Sequence, residues 1–455
     1  MMVSAPCAML PNSPPIPATL RLPPPLRHIR AVASRLRAAG AVMALSCALP
    51  AAAQSLSVWV HSGPGPERDA YVASVKAFND AEQASGSAVR AVLLPLPELG
   101  YNEAVTKAAA LKRLPCVLEF DGPNVAAYAA AGHLLPLDKF EQFSRIRDAM
   151  LSSVVRQGTV QGRLFSVGQY DSGLGLWGNR KLLNALGVRL PVRAGDGWTL
   201  SEFEDVLKRL KAAGVAAPLD MKLNYGVGEW LTYGFSPIVQ GFGGDLIERT
   251  TLRRAQGVLN GPAAVKALTT VQGWVKAGYV DAAPKDDRAF IEGRSALSWV
   301  GHWVYQDYKR ALGDDLLLLP LPRFGARAVV GSGSWNFGIA ASCPEPQAAA
   351  RFLAHLMSRD EVLRVTNVNG AVPATGAAMA FSRHYAPKGE LRLYADQLLS
   401  GQARVRPATP DYPIITAEFA NAVNRIVNGA DPQQALNQAA SRIDRKIEQA
   451  HAKRP

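Results

Sequence analysis

The chain has 455 residues, of which 48% are hydrophobic and 19% charged, a composition typical of globular proteins and incompatible with wholesale disorder. At about 150 residues per domain, this length predicts two or three folded units. Five arginines of the +13 net charge lie in the first 53 residues, which hold no acid, so the rest of the chain carries +8. Its lysines and arginines are scattered among acids, which disfavours the basic stripe of a nucleic-acid-binding protein.

Residues 38–53 have the pattern of the end of a secretory signal. Arginines precede an apolar core at 38–49, and three alanines at 51–53 follow before Gln54. The core is too short to span a bilayer. We predict that residues 1–53 are a leader and that the mature protein is exported. A lipid anchor on Cys47 is the weaker alternative, because Ala44 stands where a large aliphatic residue is usual.

Strand and helix patterns alternate after the leader. The pattern predicts strands at 56–60, 89–94 and 116–120, and helices after Glu67, at 103–112 and after Asp121. Pro123 in a first helical turn and Gly132 after the helix end support the third helix. Such a series predicts right-handed crossovers and a largely parallel sheet.

The middle of the chain is apolar and glycine-rich at 162–177, which predicts strand. Thr199 and Glu202 then form a capping box for a periodic helix. Further helices are predicted at 261–277 and 301–312, around a strand at 296–300, with more strands at 316–319 and 336–341. The last hundred residues are mostly helical. This alternation continues the α/β pattern into a second unit.

Residues directly after predicted strands are the first candidates for a site, because open α/β sheets bind ligands beyond the carboxyl ends of their strands. These residues are His61, Ser62, Asp121, Gly301, His302 and Trp303. Trp230, Trp303 and Trp335 also lie near glycines in loops, which favours an aromatic face open to a ligand such as a sugar. The alternative is that they are core residues, as we expect for Trp274 and Trp299.

Three acids are candidate binding residues, and each is also suited to a purely structural role. Asp121 is equally suited to capping a helix, Asp171 to capping a turn, and Glu67 to complementing a helix dipole.

Catalytic patterns are weak. Residues 331–334 read Gly-Ser-Gly-Ser, which is not a nucleophile elbow, and no P-loop or zinc-protease motif occurs. Glu119 and Asp121 alternate on one predicted strand and leave open a glycosidase-like carboxylate pair. Outside the leader only Cys116 and Cys343 remain, with no metal-site spacing.

Nine segments in order resemble one family. They are Leu-Pro-Cys-Val-Leu-Glu-Phe-Asp at 114–121, Ala-Gly-His-Leu-Leu-Pro-Leu-Asp at 131–138, Gly-Arg-Leu-Phe-Ser-Val at 162–167 before Tyr170-Asp171, Asn-Arg-Lys-Leu-Leu at 179–183, Trp-Thr-Leu-Ser-Glu-Phe at 198–203, Gly-Phe-Gly-Gly at 241–244, Ala-Leu-Ser-Trp-Val-Gly-His-Trp at 296–303, Gly-Ala-Val-Pro at 370–373 and Arg-Pro at 406–407. From about Ser55 to Gln449 the chain resembles the extracellular solute-binding proteins of bacterial ABC sugar importers, similar to maltose- and trehalose-binding proteins.

This resemblance implies an α/β, two-lobed periplasmic-binding-protein fold (type II), each lobe a mainly parallel sheet flanked by helices. The first lobe would comprise 54–168 and 326–372, and the second 169–325 and 373–455. Crossings between the lobes would fall near 168–169, 322–332 and 370–373, and the lobes would close on a ligand by hinge motion.

The resemblance also implies a function. The protein would be a periplasmic monomer that captures a neutral sugar or sugar alcohol and delivers it to the transmembrane subunits of an ABC permease, without catalysis, cofactor, metal or nucleic acid. The ligand-binding residues would be Glu67, Asp121, Tyr170, Asp171, Trp230, Trp303, Ser334, Trp335 and Arg406. Two alternatives stay open: a secreted glycoside hydrolase using Glu119 and Asp121, and the same fold binding a polyamine or metal chelate.

One position departs from the family pattern. Cys116 stands where the family usually has an acid, just before the third strand. In the family's first sheet, this strand begins near the end of the returning strand, where Cys343 lies. The resemblance therefore implies a Cys116–Cys343 disulfide as a hypothesis.

Overall fold

Alternating strands and helices follow one another from Gln54 onward in the computed structural model, which describes residues 54–97 and 100–452. The predicted leader at 1–53 and its Cys47 lie outside these residues. Within them the strands are β1 (Gln54–Val60), β2 (Val89–Pro95), β3 (Val117–Asp121), β4 (Thr159–Val160), β5 (Arg163–Leu164), β6 (Tyr170–Asp171), β7 (Leu174–Asn179), β8 (Leu219–Asp220), β9 (Leu297–Gly301), β10 (Leu316–Leu319), β11 (Val330–Ser332), β12 (Trp335–Ile339), β13 (Val372–Pro373) and β14 (Ala403–Val405).

The helices of the same residues are α1 (Pro66–Ala84), α2 (Tyr101–Ala110), α3 (Val125–Ala130), α4 (Gln142–Ala149), α5 (Ser152–Gly158), α6 (Arg180–Ala185), α7 (Leu200–Ala212), α8 (Glu229–Gly241), α9 (Pro262–Lys276), α10 (Tyr305–Leu312), α11 (Pro346–Leu356), α12 (Arg359–Asn369), α13 (Gly376–Phe381), α14 (Arg392–Leu399), α15 (Tyr412–Val427) and α16 (Pro432–Ala452). The predicted capping box of α7 is confirmed, since Thr199 and Glu202 each accept a hydrogen bond from the other's backbone N–H.

The first lobe is built on a sheet with the order β12-β3-β1-β2. Strand β1 pairs in parallel with β2 and β3, as the βαβ pattern predicts, while β12 runs antiparallel to β3. Trp335 at the start of β12 lies opposite Asp121 at the end of β3. One edge of this sheet therefore collects Asp121, Trp335 and the residues that follow β1.

The second lobe is built on a sheet with the order β10-β7-β9-β8. Strand β7 is antiparallel to both neighbours, and only β8 and β9 pair in parallel. In each sheet three strands share one direction and one strand, β12 or β7, runs against them. Because β12 and β7 are antiparallel to their neighbours, they run away from the edge at which the other strands of their sheet end. Because β7 lies inside its sheet, the expectation of mainly parallel pairing holds for the first lobe and is wrong for the second.

Separate hydrophobic cores lie beneath the two sheets. The larger core joins the second sheet to α7, α8, α9, α15 and α16, with Trp177, Trp274 and Trp299 fully buried in it. A second core joins β1, β3 and β12 to α1 and α11. The prediction that Trp274 and Trp299 are core residues is confirmed, and the two-lobed α/β fold follows from these paired sheets and cores.

The segments that the resemblance assigns to lobe crossings pair with one another. Strand β6 is antiparallel to β13, with Asp171 opposite Val372. Gly173 forms a bridge to Ser332 at the end of β11. Asp171, Gly173 and Ser332 are thereby brought close to the sheet edges of both lobes.

A disulfide joins Cys116 and Cys343, whose Cα atoms are 4.5 Å apart. Cys116 precedes β3 and Cys343 follows β12, so the bond links two neighbouring strands at the end opposite Asp121. The pairing implied by the resemblance is confirmed.

Candidate ligand-binding cleft

Arg406 connects the two lobes. It follows β14, and its guanidinium donates two hydrogen bonds to Asp121 at the end of β3, over 2.7 Å (Nη1 to Oδ2) and 2.9 Å (Nη2 to Oδ1). Nη1 also donates to Oε1 of Glu229, the first residue of α8, over 2.6 Å. The Arg406 side chain is only 5% exposed. A buried guanidinium is therefore shared by one carboxylate from the first lobe and one from the second.

Glu229 is itself held from α15. The Tyr412 hydroxyl donates to Oε1 of Glu229, and Thr416 Oγ1 donates to Oε2 over 2.7 Å. Burial alone would lower the pKa of Arg406, but the charges of Asp121 and Glu229 outweigh this effect and raise it. The group at Arg406 is a charged, hydrogen-bonded network fixed on three elements.

Asp171 lies at the lobe crossing and is fully buried. Its Oδ1 accepts hydrogen bonds from the backbone N–H of Ser172 (2.8 Å) and Gly333 (3.0 Å) and from Gln157 Nε2 (3.3 Å). Its Oδ2 has no hydrogen-bond partner among the residues that the structure describes. Burial raises the pKa of Asp171 above its ordinary value. A buried carboxylate oxygen without a partner is expected to be used by a ligand or water.

The backbone conformation at position 333 requires a glycine. Its φ of +114° is a conformation that L side chains rarely adopt, and a Cβ there would lie 3.1 Å from Arg406 Nη2. The next residue, Ser334, donates its backbone N–H to Gln157 Oε1 over 2.9 Å. The Gly-Ser-Gly-Ser segment thus brings backbone donors, rather than a nucleophile, between Asp171 and Arg406.

An aromatic wall in the second lobe is formed by Trp230, Tyr233 and Trp303. The Trp303 ring meets Trp230 edge-on, with centroids 6.0 Å apart, and lies 6.2 Å from Tyr233. Arg406 covers the Tyr233 ring at 4.9 Å. Trp303 is 38% exposed, whereas Trp230 is 9% exposed. Of Trp230, Trp303 and Trp335, for which an open face was predicted, Trp303 is exposed, whereas Trp230 is nearly buried and packs edge-on against it.

A second aromatic pair lies at the edge of the first sheet. The rings of Trp335 and His61 stack in parallel with centroids 3.4 Å apart. Glu119 accepts from the His61 backbone N–H (2.8 Å) and from the Tyr71 hydroxyl (2.9 Å), and lies 2.7 Å from His61 Nδ1. Both Glu119 side-chain oxygens are thus occupied, Oε2 by His61 beneath Trp335 and Oε1 by Tyr71.

Glu67 and Tyr170 form another hydrogen-bonded pair among the predicted residues. The Tyr170 hydroxyl donates to Glu67 Oε1 over 3.2 Å, and Asn369 Nδ2 donates to the same oxygen over 2.9 Å. The Tyr170 ring packs edge-on against His302 at 6.3 Å. Glu67 therefore links α1 to a lobe crossing.

His302 connects the crossing to the aromatic wall. Its Nδ1 lies 2.8 Å from the backbone oxygen of Asn369, which only accepts, so Nδ1 carries the proton. Its Nε2 then accepts from Ser172 Oγ at 2.9 Å, and Ser172 Oγ lies 3.0 Å from Ser334 Oγ. Burial lowers the pKa of His302 to about 4.

We expect His302 to make the protein less stable as the pH falls from about 6.5 to about 4. In this window the unfolded chain binds a proton at His302 and the folded protein does not, which lowers the free energy of unfolding by about 2–3 kcal/mol. Urea unfolding at pH 7.5 and 4.5 tests this against His302→Asn, which should lose less stability on acidification. His133→Asn, at a partly exposed position, is the control. Equal losses in the wild type and His302→Asn would contradict the prediction.

The structure brings all nine predicted site residues into one connected set. Asp121 contacts Arg406, Arg406 covers Tyr233, and Tyr233 meets Trp303. Further links run through His302 to Tyr170 and Glu67, and through Ser172 to Asp171 and Ser334. Trp230 packs against Trp303, and Trp335 pairs with Asp121 in the first sheet. Sequence reasoning missed Gln157, Glu229, Tyr233, Tyr412 and Thr416. Of these five residues, only Glu229 could have been found from the sequence, because it is an acid between a glycine and Trp230.

The space at Arg406 is small. A cavity of about 20 Å³ is bordered by Gly122, Gln157, Ser332, Gly333 and Arg406, whereas ligand pockets usually measure about 300–1,000 Å³. A larger cavity of about 370 Å³ in the second lobe is bordered by Lys211, Asp281 and Arg294 and by none of the nine predicted residues. The space at Arg406 thus has room for about one water molecule in this structure.

Two further features bear on the kind of protein. Within residues 54–97 and 100–452, no helix is both long and apolar enough to cross a membrane. The same part of the chain holds no group of three or more His, Cys, Asp or Glu side chains placed to bind a metal ion.

Comparison with known proteins identifies the family. A sequence model described as bacterial extracellular solute-binding protein matches residues 66–362. The chain belongs to this family. Its members bind solutes and carry out no reaction, so this solute-binding protein is not an enzyme and the glycoside hydrolase alternative is wrong. In agreement, Glu119 is occupied by His61 and Tyr71.

Solved structures of similar proteins share the two-lobed fold. The GacH receptor of Streptomyces glaucescens, solved unliganded and with acarbose, has 19% identity and a TM-score of 0.72 over 87% of this chain and 98% of its own. A cyclic α-maltosyl-1,6-maltose binding protein from Arthrobacter globiformis has 21% identity and a TM-score of 0.69 over 87% and 99%. A solute-binding protein from Thermotoga lettingae with bound α-D-tagatose has 18% identity and a TM-score of 0.71 over 87% and 100%.

Proposed function

We propose that this solute-binding protein captures a neutral sugar or sugar alcohol between its lobes and delivers it to the transmembrane subunits of an ABC permease. The observation that carries the proposal is the pairing of Arg406 with Asp121 and Glu229 beside the open ring of Trp303. Sugars present C–H faces that stack on such rings and hydroxyls that both donate and accept hydrogen bonds.

Unpartnered polar atoms in the cleft match the hydroxyls of such a ligand. Asp171 Oδ2, the Tyr233 hydroxyl and Arg406 Nε have no hydrogen-bond partner among the described residues. Asp171 Oδ2 is able to accept a hydrogen bond and Arg406 Nε to donate one. The Tyr233 hydroxyl is able to donate and to accept. The proposed binding residues remain the nine predicted ones, joined by Glu229 and Tyr233.

The charge balance at Arg406 supports a ligand without phosphate. The Arg406 guanidinium is neutralised by Asp121 and Glu229, with Asp171 nearby. A phosphorylated ligand would need additional cations at these carboxylates. Similar proteins of the same fold bind acarbose, tagatose and maltose according to their solved structures, which favours a carbohydrate of one or a few rings.

The proposed location of action rests on the predicted leader. The family is extracellular, and we propose that the signal pattern at 38–53 directs this chain to the periplasm, with a lipid anchor on Cys47 as the weaker alternative. We propose that it acts as a monomer and needs no cofactor. The lobes would open to admit the sugar and close around it, and the closed form would engage the permease.

A thermal-shift screen of residues 54–455 over mono- and disaccharides, polyols, polyamines and carboxylic acids tests the ligand class. We expect sugars or polyols to raise the midpoint temperature, with affinity then measured by calorimetry. Trp303→Ala should weaken binding by about tenfold or more through loss of its stacking face. Phe381→Ala, an aromatic that is 68% exposed outside the cleft, is the matched control. Stabilisation by amines or acids alone would overturn the proposal.

A further inference from the structure

Lys222 is a buried cation in a left-handed turn behind the aromatic wall. Its side chain is 0% exposed, and its backbone φ is +54°. Its Nζ lies 2.8 Å from Asp220 Oδ2 and 2.5 Å from Asp287 Oδ1. Burial alone would lower the pKa of Lys222, but the two carboxylates outweigh this effect and raise it. A buried charge of this kind is tolerated only with partners, so the pair with Asp287 is strongly held.

Hydrogen bonds lead from this ion pair to Trp303. The Tyr225 hydroxyl lies 3.5 Å from Asp287 Oδ2, to which it donates, and accepts from Trp303 Nε1 at 3.3 Å. Asp287 is 49% exposed, so Lys222 is what fixes its position. The orientation of the exposed indole thus depends on a charge that does not itself face the cleft.

The same turn holds the second tryptophan. Trp230 Nε1 donates to the backbone oxygen of Met221 over 3.1 Å, and the Tyr225 ring meets Trp230 edge-on at 5.4 Å. Trp230 in turn packs edge-on against Trp303. The turn at 220–225 therefore contacts both tryptophans of the wall, through its backbone and through Tyr225.

We propose that Lys222 and Asp287 are positioning residues that hold Trp303, through Tyr225, in the orientation that receives the ligand. This inference rests on the proposed function, because Trp303 is taken as the stacking face for a sugar. Neither Lys222 nor Asp287 is a binding residue. Their effect on affinity is transmitted by the Tyr225 hydroxyl.

Tyr225→Phe tests the proposal because it removes only that hydroxyl. We expect affinity for the best sugar of the screen to fall about three- to tenfold, the equivalent of one hydrogen bond. In the ligand-free protein, the indole N–H NMR signal of Trp303, assigned with Trp303→Phe, should move. The signal of Trp299, whose Nε1 donates to the Gly234 oxygen, should stay. Tyr279→Phe, a partly buried tyrosine elsewhere in the second lobe, is the matched control.

Asp287→Asn provides the second variant, because Lys222→Met leaves two buried or half-buried acids unpaired and risks misfolding. Asp287→Asn should reproduce the affinity loss and the shift of the Trp303 signal. Its neighbour Asp286 pairs with Arg294 instead, so Asp286→Asn should do neither.

Unchanged affinity in both Tyr225→Phe and Asp287→Asn would overturn the proposal, even if the Trp303 signal moved. An unmoved Trp303 signal would overturn it as well, because the indole would then not depend on Tyr225. Failure of the wild-type protein to bind any sugar would overturn the proposed function. The NMR signal of the ligand-free protein would still decide whether Tyr225 and Asp287 position Trp303.

Discussion

Arg406→Met is expected to abolish ligand binding and to lower the free energy of unfolding by about 3–5 kcal/mol. The guanidinium is 5% exposed and carries three hydrogen bonds to Asp121 and Glu229. Without it, two carboxylates from opposite lobes face each other with no cation between them. Their repulsion opposes closure, and their desolvation opposes folding. Calorimetry and urea unfolding measure the two effects separately.

Arg404→Met is the matched control, because Arg404 lies two residues earlier on β14 and is exposed. It should leave binding and stability near wild-type values. Adding Asp121→Asn to Arg406→Met should recover part of the stability, since one of the two unpaired charges is removed, but should not restore binding. Normal ligand affinity in Arg406→Met would show that Arg406 lies outside the binding site.

The second large effect is expected from the disulfide. Replacing Cys116 and Cys343 together by serine should lower the free energy of unfolding by about 2–5 kcal/mol, because the bond closes a loop with a sequence separation of 227 residues. Ligand affinity should change little, since Cys116 lies at the end of β3 opposite Asp121. Urea unfolding and calorimetry of the double variant test both statements.

Ser342→Ala, at an exposed position next to Cys343, is the control for local disturbance and should match the wild type. Thiol labelling of the unreduced, denatured protein, without its leader, should detect no free thiol. Two titratable thiols, or a double variant as stable as the wild type, would contradict the prediction.

Periodic elements of the fold were predictable from local pattern. The strand at 316–319 and the helix with the Thr199 capping box were placed correctly because their signals are local. Helix α8 was missed, since its interior holds Pro237 and several aromatics and lacks a polar face. The antiparallel position of β7 was also beyond local pattern, because strand direction depends on pairing with the distant strands β9 and β10.

The sequence predicts the candidate site residues that follow strands, but it does not predict the residues that hydrogen-bond to them. Asp121 and Trp303 follow from the rule that ligands lie beyond strand ends, Trp335 from its position near glycines, and Arg406 from the family resemblance. Tyr412 and Thr416 lie on α15 with ordinary helical spacing, and nothing local shows that they face Glu229. No local pattern marks Lys222 as buried, because its ion pair forms with Asp287, 65 residues away.

The pairing of β3 with β12 governs when the protein is able to fold. The chain between these neighbouring strands includes the whole sheet β10-β7-β9-β8, so the first sheet stays incomplete until that insertion has been made. Until β12 pairs with it, β3 is an edge strand whose residues are all buried in the folded protein. An exposed edge of this kind promotes aggregation in a nascent chain. Such high contact order predicts slow folding, in which completion of the amino-terminal lobe is a late event.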